Sequence, residues 1–209
     1  MCGIVGYIDR TGSVNVVEVL LRMLKSLERR GPDAAGVAVF GGTQVHPEWK
    51  ARILLTGSDP NRDEEILREA VEKVASVKSF HREGAYVAME LSEPPDLELL
   101  GNVVEGGLLR GQASIVYIGT KGDVWKTAGP VEGLRSFFSA PIAAVHGIGH
   151  TRMATESRED LLNAQPFAAK RLPDLAIVHN GHITNHLEWK RRLEQKGYRF
   201  TAERESEII

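Results

Sequence analysis

The chain mixes short apolar runs of strand length with amphipathic helical segments, and the two do not alternate regularly. Strands are predicted where β-branched and aromatic residues cluster between turn residues, over residues 3–8, 34–40, 86–91, 114–118, 124–125, 143–149 and 175–179. Helices are predicted where apolar residues recur at helical spacing, over residues 13–29, 62–77 and 185–196. A doubly wound sheet needs repeated strand–helix–strand units, so this order predicts an α+β fold built of layers.

The composition is typical of a soluble protein without a nucleic-acid or membrane partner. The 209 residues carry a net charge of −2, which gives no reason to expect nucleic acid or an anionic membrane. No apolar stretch approaches the roughly 20 residues of a membrane span. The single cysteine excludes an internal disulfide and is typical of a reducing compartment. We therefore expect a cytoplasmic location.

The only cysteine, Cys2, directly follows the initiator Met1. Cysteine is small enough for an aminopeptidase to remove Met1, and the mature chain would then begin with a thiol and a free α-amine. Their reference pKa values, roughly 8.5 for the thiol and 7.7–8.0 for the amine, lie close to neutral pH, so either group can gain or lose a proton there. Such a pair can act as nucleophile and base. The alternative is a buried cysteine that packs as a small hydrophobe.

Polar clusters follow three of the apolar runs, at residues 30–33, 149–157 and 179–185. In the last cluster, the N–H of Gly181 and the side-chain N–H of Asn180 would make a two-donor oxyanion hole. The alternative is an Asn-Gly turn between strands. In the middle cluster, Arg152 is flanked by Thr151 and Thr155, which suits bidentate capture of a carboxylate. A surface ion pair is the alternative for this arginine.

A histidine-based metal site is a rival interpretation of the same region. The candidate ligands are His146, His150, His179, His182 and His186. The Asn-Gly pair interrupts any single helix that would align the last three, and the chain has neither an HExxH pattern nor a second cysteine. The sequence therefore predicts no metal site.

Taken together, the motifs resemble those of the class II glutamine amidotransferases, which belong to the N-terminal-nucleophile hydrolases. The matching motifs are CGIVGY at the start, RRGPDAAGVAV at 29–39, GHTRMAT at 149–155, NAQPF at 163–167, VHNGHITN at 178–185 and RESEII at the end. The strings HTRMATES and NAQPF look most like the amidotransferase domain of glutamate synthase and its stand-alone microbial relatives, some of which serve N-methylglutamate synthesis. The resemblance implies a four-layer αββα sandwich.

The resemblance also implies roles for individual residues. Cys2 attacks the side-chain amide of glutamine, and its own α-amine shuttles the proton. Asn180 and the N–H of Gly181 hold the oxyanion, and Arg152 binds the α-carboxylate. Glu205 stands where the family usually has an Asp that binds the α-amino group, so the charge is kept on a side chain one methylene longer.

Further residues would complete this site. Two are expected to help bind the substrate, namely Thr155 and His182. Four are expected to support the nucleophile and the arginine, namely Arg30, Asp33, His150 and Thr151. For Asp33, bracing of the RRGPD turn is the expected contribution.

The implied reaction is glutaminase chemistry, in which glutamine and water give glutamate and ammonia through a thioester at Cys2. The ammonia would pass to a synthase partner of glutamate-synthase type, which would carry FMN and an iron–sulfur cluster, while this chain carries no cofactor. The alternatives are an amidotransferase of another pathway (amidophosphoribosyltransferase-like or N-methylglutamate-synthase-like), another N-terminal-nucleophile amidase, and a non-catalytic regulatory subunit that keeps the fold.

The domain organisation expected from the resemblance is a single amidotransferase domain over residues 1–209. The stretch from 42 to 140 is longer than in compact family members, so we expect it to contain an added helix–strand element. The family sandwich continues past the RESEII position, so we expect the domain to continue beyond residue 209. Both a homo-oligomer and a hetero-oligomer are compatible with the sequence.

Overall fold

The computed structural model describes residues 2–41, 48–138, 142–153, 161–200 and 205–209. The chain divides into two compact units. The first comprises Met1–Gly42, Val124–Phe167 and Ala176–Ile209, and the second comprises Thr43–Asp123 and Ala168–Leu175.

The strands are β1 (Gly3–Ile8), β2 (Ala34–Phe40), β3 (Trp49–Leu55), β4 (Val77–Glu83), β5 (Tyr86–Leu91), β6 (Ala113–Gly119), β7 (Gly122–Ala128), β8 (His146–Arg152), β9 (Phe167–Ala168) and β10 (Ala176–Ile177). The α-helices are α1 (Val16–Leu27), α2 (Pro60–Glu72), α3 (Leu97–Gly106) and α4 (His186–Gln195). Short 3-10 helices cover Glu28–Arg30, Val131–Phe137 and Glu205–Ile208.

In the first unit, β8 lies inside a four-stranded sheet with the order β1-β8-β2-β7. It pairs antiparallel with β1, where Gly3 is opposite Thr151, and with β2, where Ala34 is opposite Arg152. The helix α1 packs on this sheet through a buried face that includes Leu20. Burying one leucine stabilises a fold by roughly 1.5–3 kcal/mol. The pairing brings the start of β1 to the end of β8, and so brings Cys2 close to that end.

The second unit is a four-stranded sheet with the order β4-β5-β3-β6, on which α2 and α3 pack. Its core contains Ile53, Leu67 and Val104, each with 0% or 1% of its surface exposed. The side chain of Asp59 accepts the N–H of Arg62 at 3.2 Å, which caps α2. The second sheet is therefore built around its own apolar core.

The α+β fold class is confirmed. The pairings of β1 and β2 with β8, of β3 with β5 and β6, and of β4 with β5 are all antiparallel. Each four-stranded sheet packs against helices of its own unit, which is consistent with an N-terminal-nucleophile type of sandwich. No regular strand–helix–strand repeat of a parallel sheet is present among these pairings.

Two predictions were wrong in the region of the second unit. The helix predicted over 62–77 ends at Glu72, and Val77 begins β4. The polar stretch after Pro94 and Pro95, interpreted as a connection, contains α3. Asp96 caps α3 by accepting the N–H of Leu99 at 2.9 Å, so the prolines end just before the helix rather than interrupting one.

The predicted strand 143–149 is displaced towards the C-terminus, and this displacement matters for the site. β8 runs from His146 to Arg152, so His150, Thr151 and Arg152 lie inside a central strand. The sequence placed them after the strand, in a loop. His150 and Thr151 pair with β1 on one side and β2 on the other, and Arg152 pairs with β2, so the strand holds these residues more firmly than a loop would.

Most of the second unit lies inside the range 42–140, for which the sequence predicts an added element. Within that range, however, Val124–Ala128 belongs to the first sheet as part of β7, and the 3-10 helix Val131–Phe137 contacts α1. The domain boundaries stay a prediction. In the part of the chain that the structure describes, no helix is long and apolar enough to cross a membrane. The cytoplasmic location also stays a prediction.

The carboxylate of Asp9 organises the turn that leads into α1. Thr11 donates to Oδ1 through its hydroxyl at 2.6 Å and its amide at 2.9 Å, and the amide of Val14 donates to Oδ2 at 2.7 Å. These bonds, above all the one from the Thr11 hydroxyl, lower the pKa of Asp9 from 3.8 to about 2. The charged form is therefore favoured in the folded state.

We expect Asp9→Asn to lower the free energy of unfolding at neutral pH. The pKa of Asp9 is lower in the folded state, so the advantage of the wild type is present above its ordinary pKa of 3.8 and is lost as the pH falls towards about 2. Urea unfolding of both proteins across this pH range measures the difference. A difference that is equally large at about pH 2 and about pH 7 would contradict the role of the charge.

Candidate active site

Cys2 directly precedes β1, and its thiol is nearly buried, with 8% of the residue exposed. Its Sγ lies 4.0 Å from the carbonyl oxygen of Met153, the residue that follows β8. The burial fits a packed cysteine as well as a nucleophile.

The amide of Asn180 reaches the backbone of the cysteine. Its Nδ2 donates to the carbonyl oxygen of Cys2 at 3.2 Å, across 178 residues of sequence. Asn180 and Gly181 are both exposed. The interpretation of this pair as a turn between strands is wrong, because the pair follows β10 and the next regular element is α4. An exposed amide donor therefore lies beside the backbone of the cysteine.

Arg152 ends β8 and is fully buried, with 0% of the residue exposed. The alternative of a surface ion pair is therefore wrong. Its backbone carbonyl accepts the N–H of Asp33 at 3.0 Å, and the carbonyl of Asp33 accepts the N–H of Gly129 at 2.7 Å. Asp33 thus braces the end of β8 through its backbone. Buried arginines usually serve a specific charge or hydrogen-bonding role.

Gly31 allows the RRGPD turn to lie directly against this strand. A Cβ at residue 31 would come within 2.6 Å of the carbonyl carbon of Arg152, which is backbone and cannot give way. Arg30, the preceding residue, is exposed at the end of the 3-10 helix Glu28–Arg30. The turn therefore supports Arg152 through Gly31 and Asp33.

The two other predicted supporting residues lie on β8 next to Arg152. His150 is opposite Ile4 and Thr151 is opposite Gly3, and both side chains are 0% exposed. They connect the buried arginine to the strand that begins after Cys2.

The side chains of Glu205 and His182 lie close together. Glu205 begins the 3-10 helix Glu205–Ile208, and its side chain is 15% exposed. Its Oε1 lies 3.9 Å from Nδ1 of His182, whose side chain is 66% exposed. Thr155, the remaining predicted contact, lies outside the described residues.

The NAQPF motif at 163–167 belongs to the family resemblance, but the sequence assigns no role to its residues. In the structure, the side-chain amide of Gln165 accepts the backbone N–H of His179 at 2.6 Å and donates to the backbone carbonyl of His179 at 2.9 Å. Nδ1 of His179 lies 2.9 Å from the hydroxyl of Ser206. The only signal for these contacts in the sequence was the presence of all three residues inside matched motifs.

The five histidines considered as metal ligands all lie in the described part of the chain. Among the residues that the structure describes, no group of three or more His, Cys, Asp or Glu side chains could hold a metal ion. The rings of His182 and His186 pack edge to face, with centroids 6.2 Å apart.

Comparison with known proteins agrees with these motifs. A family model described as a glutamine amidotransferase domain matches residues 150–209. A putative glutamine amidotransferase of Methanothermobacter thermautotrophicus is 28% identical over 231 residues, which span 100% of this chain and 70% of the relative. The glutamine amidotransferase-like protein GlxB of Rhizobium meliloti is 33% identical over 216 residues, spanning 100% of this chain and 67% of the relative.

Other relatives are longer proteins. A glutamine–fructose-6-phosphate aminotransferase of Acidithiobacillus ferridurans is 30% identical over 209 residues, which span 100% of this chain but 21% of that protein. The similarity to amidotransferases thus extends over the whole chain. The chain belongs to the class II glutamine amidotransferase family.

Proposed function

We propose that this chain hydrolyses glutamine through a covalent intermediate on Cys2. Removal of Met1 frees the α-amine of Cys2, which takes the thiol proton. The sulfur then attacks the side-chain carbonyl carbon of glutamine, the carbon–nitrogen bond breaks, and the proton leaves with ammonia. Water hydrolyses the γ-glutamyl thioester to glutamate and restores the thiol. Two easier steps replace one difficult hydrolysis.

The observation that carries this proposal is the hydrogen bond from Asn180 to the backbone of Cys2. Its Nδ2 lies 3.2 Å from the Cys2 carbonyl oxygen, so the amide donor is within reach of a substrate carbonyl under attack by the same residue. Gly181 would supply the second donor through its backbone N–H. Donors fixed before the reaction stabilise the oxyanion without reorganisation.

Two charged residues would select an amino acid as the substrate. The buried Arg152 is suited to the α-carboxylate, because its planar guanidinium forms paired hydrogen bonds with a carboxylate. Glu205, with its side chain 15% exposed, would bind the α-amino group. His182, whose Nδ1 lies 3.9 Å from this carboxylate, would lie next to the α-amino group of the substrate. A free amino acid carries both charges, whereas a simple amide carries neither.

The decisive experiment is intact mass spectrometry after exposure to a diazo-ketone analogue of glutamine. We expect a protein that lacks Met1 and carries one adduct, and we expect excess glutamine to prevent labelling. A chain that retains Met1, or that loses Met1 and takes no adduct, would overturn the proposed mechanism. That outcome would favour a non-catalytic subunit that keeps the fold.

Arg152→Lys should raise KM for glutamine about tenfold to a hundredfold with a smaller change in kcat, because a charge-assisted bidentate contact is lost while the charge remains. Lysine also limits the cavity that alanine would leave at a fully buried position. Steady-state kinetics measure the effect. Arg22→Lys, on an arginine that pairs with Glu18 on the surface of α1, is the matched control. An unchanged KM in Arg152→Lys would remove the arginine from substrate binding.

We also propose that the ammonia passes to a synthase partner of glutamate-synthase type. This rests on the strings HTRMATES and NAQPF. The partner would hold FMN and an iron–sulfur cluster, since this chain has one cysteine and a cluster needs several cysteine ligands. Relatives named glutamine–fructose-6-phosphate aminotransferases favour a sugar phosphate as the second candidate acceptor.

Transfer of label from amide-15N glutamine distinguishes the acceptors. With the partner purified alongside this chain, label in glutamate formed from 2-oxoglutarate supports the glutamate-synthase type. Label in an amino sugar phosphate, a phosphoribosylamine or N-methylglutamate would instead assign the chain to another pathway.

A further inference from the structure

The side chain of His179 lies close to two segments that carry proposed site residues, one around Gly181 and one around Glu205. Its Nδ1 is 2.9 Å from the hydroxyl of Ser206, which directly follows Glu205. Its Nε2 faces the backbone of Gly181, where a Cβ would come within 2.7 Å of that nitrogen. The imidazole is thus adjacent to both the proposed oxyanion donors and the segment that carries the proposed amine-binding carboxylate.

The side-chain amide of Gln165 holds the backbone of His179. The amide of Gln165 uses its oxygen for the N–H of His179 at 2.6 Å and its nitrogen for the carbonyl at 2.9 Å. These two hydrogen bonds use the N–H and the carbonyl of His179 as a neighbouring strand would. Gln165 is 1% exposed, so each of these groups would be costly to leave unbonded.

Ser206 is buried to the same degree, at 1% exposed. Its hydroxyl therefore has little access to water and depends on His179 for this hydrogen bond. The contact spans 27 residues of sequence and joins the 178–185 segment to the 3-10 helix Glu205–Ile208. Neither residue takes part in the chemistry proposed above.

We propose that His179 is a positioning residue that holds Asn180 and Glu205 in one geometry, through Gln165 on one side and Ser206 on the other. This inference rests on the proposed function, since it concerns how that site is held. The direct sequence neighbours of His179 and Ser206 are the donor and the carboxylate. A shift of His179 therefore moves both the group that stabilises the oxyanion and the group that binds the α-amine.

This arrangement links turnover to recognition of the α-amino group. If the bond between His179 and Ser206 is lost, Glu205 is held less firmly relative to Asn180. Glutamine then loses part of its advantage over glutaramate, the same amide without the α-amino group. A purely structural role would lower the rates of both substrates by the same factor.

The test compares hydrolysis of glutamine and glutaramate by the wild type, Ser206→Ala, His179→Phe and His179→Asn. We expect Ser206→Ala to lower kcat/KM for glutamine about five- to tenfold and to change that for glutaramate much less. His179→Phe should lower kcat/KM for glutamine by at least the same factor. His179→Asn should recover most of the selectivity, because its amide can occupy the position of Nδ1 and bond Ser206.

Two further measurements separate positioning from folding. Ser136→Ala is the matched control, since it removes a serine hydroxyl that donates to the carbonyl of Gly133 at 2.9 Å on an exposed surface, and it should leave both substrates unaffected. Adding Ser206→Ala to His179→Phe should have no further effect on selectivity, because both changes break one interaction. Thermal unfolding of each variant identifies any that is not folded, and if His179→Phe is not folded, Ser206→Ala alone provides the comparison between the two substrates.

The outcomes distinguish this inference from the function on which it rests. If the wild type hydrolyses glutamine and Ser206→Ala keeps its preference over glutaramate, the positioning role is overturned and the proposed function stands. Additive effects in the double variant would overturn it in the same way. If the wild type does not hydrolyse glutamine at all, both proposals fail together.

Discussion

Cys2→Ala is expected to abolish glutamine hydrolysis, with kcat falling on the order of 10⁴-fold or more, as for other enzymes that lose their nucleophile. Without the sulfur, no thioester forms, and the remaining donors can only assist direct attack by water. The measurement is ammonia release at saturating glutamine. The same variant should take no adduct from the diazo-ketone analogue.

Cys2→Ser is the matched variant for this prediction. Serine is also small enough to permit removal of Met1, so the α-amine stays available and only the thiol changes. We expect the serine variant to be nearly as inactive as the alanine variant, because a hydroxyl is a far weaker nucleophile than a thiol. Both variants should unfold at close to the wild-type temperature, since the contact between Sγ and the carbonyl oxygen of Met153 is long, at 4.0 Å. Turnover retained by Cys2→Ala would place the nucleophile elsewhere.

Asn180→Ala is expected to lower kcat about 10²- to 10³-fold while KM changes little. The side-chain donor lies 3.2 Å from the backbone carbonyl of Cys2 and is not among the groups proposed to bind the charged ends of the substrate. Its contribution is therefore expected in the transition state, where negative charge develops on the amide oxygen. Steady-state kinetics with glutamine separate the two parameters.

The controls for Asn180→Ala use the same type of residue. Asn185→Ala removes an asparagine at the start of α4 that makes no capping hydrogen bond with its side chain, so it should retain full turnover. Asn180→Asp keeps the shape but replaces the donor by an acceptor, and it should be at least as defective as alanine. A rise in KM with unchanged kcat would assign Asn180 to substrate binding rather than to the oxyanion hole.

Several strands could be predicted from the sequence to the residue. The predicted bounds of β1, β2 and β5 coincide with those in the structure, at Gly3–Ile8, Ala34–Phe40 and Tyr86–Leu91. In each of them, β-branched or aromatic residues are bounded by turn residues, which is a local signal. The helix predicted over 62–77 was too long because the apolar spacing of helices continues past its end. The pairing of Val77 with Leu91 decides that this part is a strand.

The position of β8 depended on tertiary structure in the same way. The apolar run before His146 favoured an earlier strand, but pairing with β1 and β2 extends the strand to Arg152. Burial of an arginine at its end opposes the usual preference of that residue for the surface. Periodicity carries no information on a buried charge of this kind, because it records only the spacing of apolar residues along the chain.

The sequence by itself determined the α+β class, the family, and the set of residues proposed to react with and bind glutamine, because each is written in residue types and their order. Only the tertiary structure decided how they are held together. Asn180 meets Cys2 across 178 residues, and Ser206 meets His179 across 27. Such contacts form when strands pair and loops pack, and local patterns of hydrophobicity do not encode them.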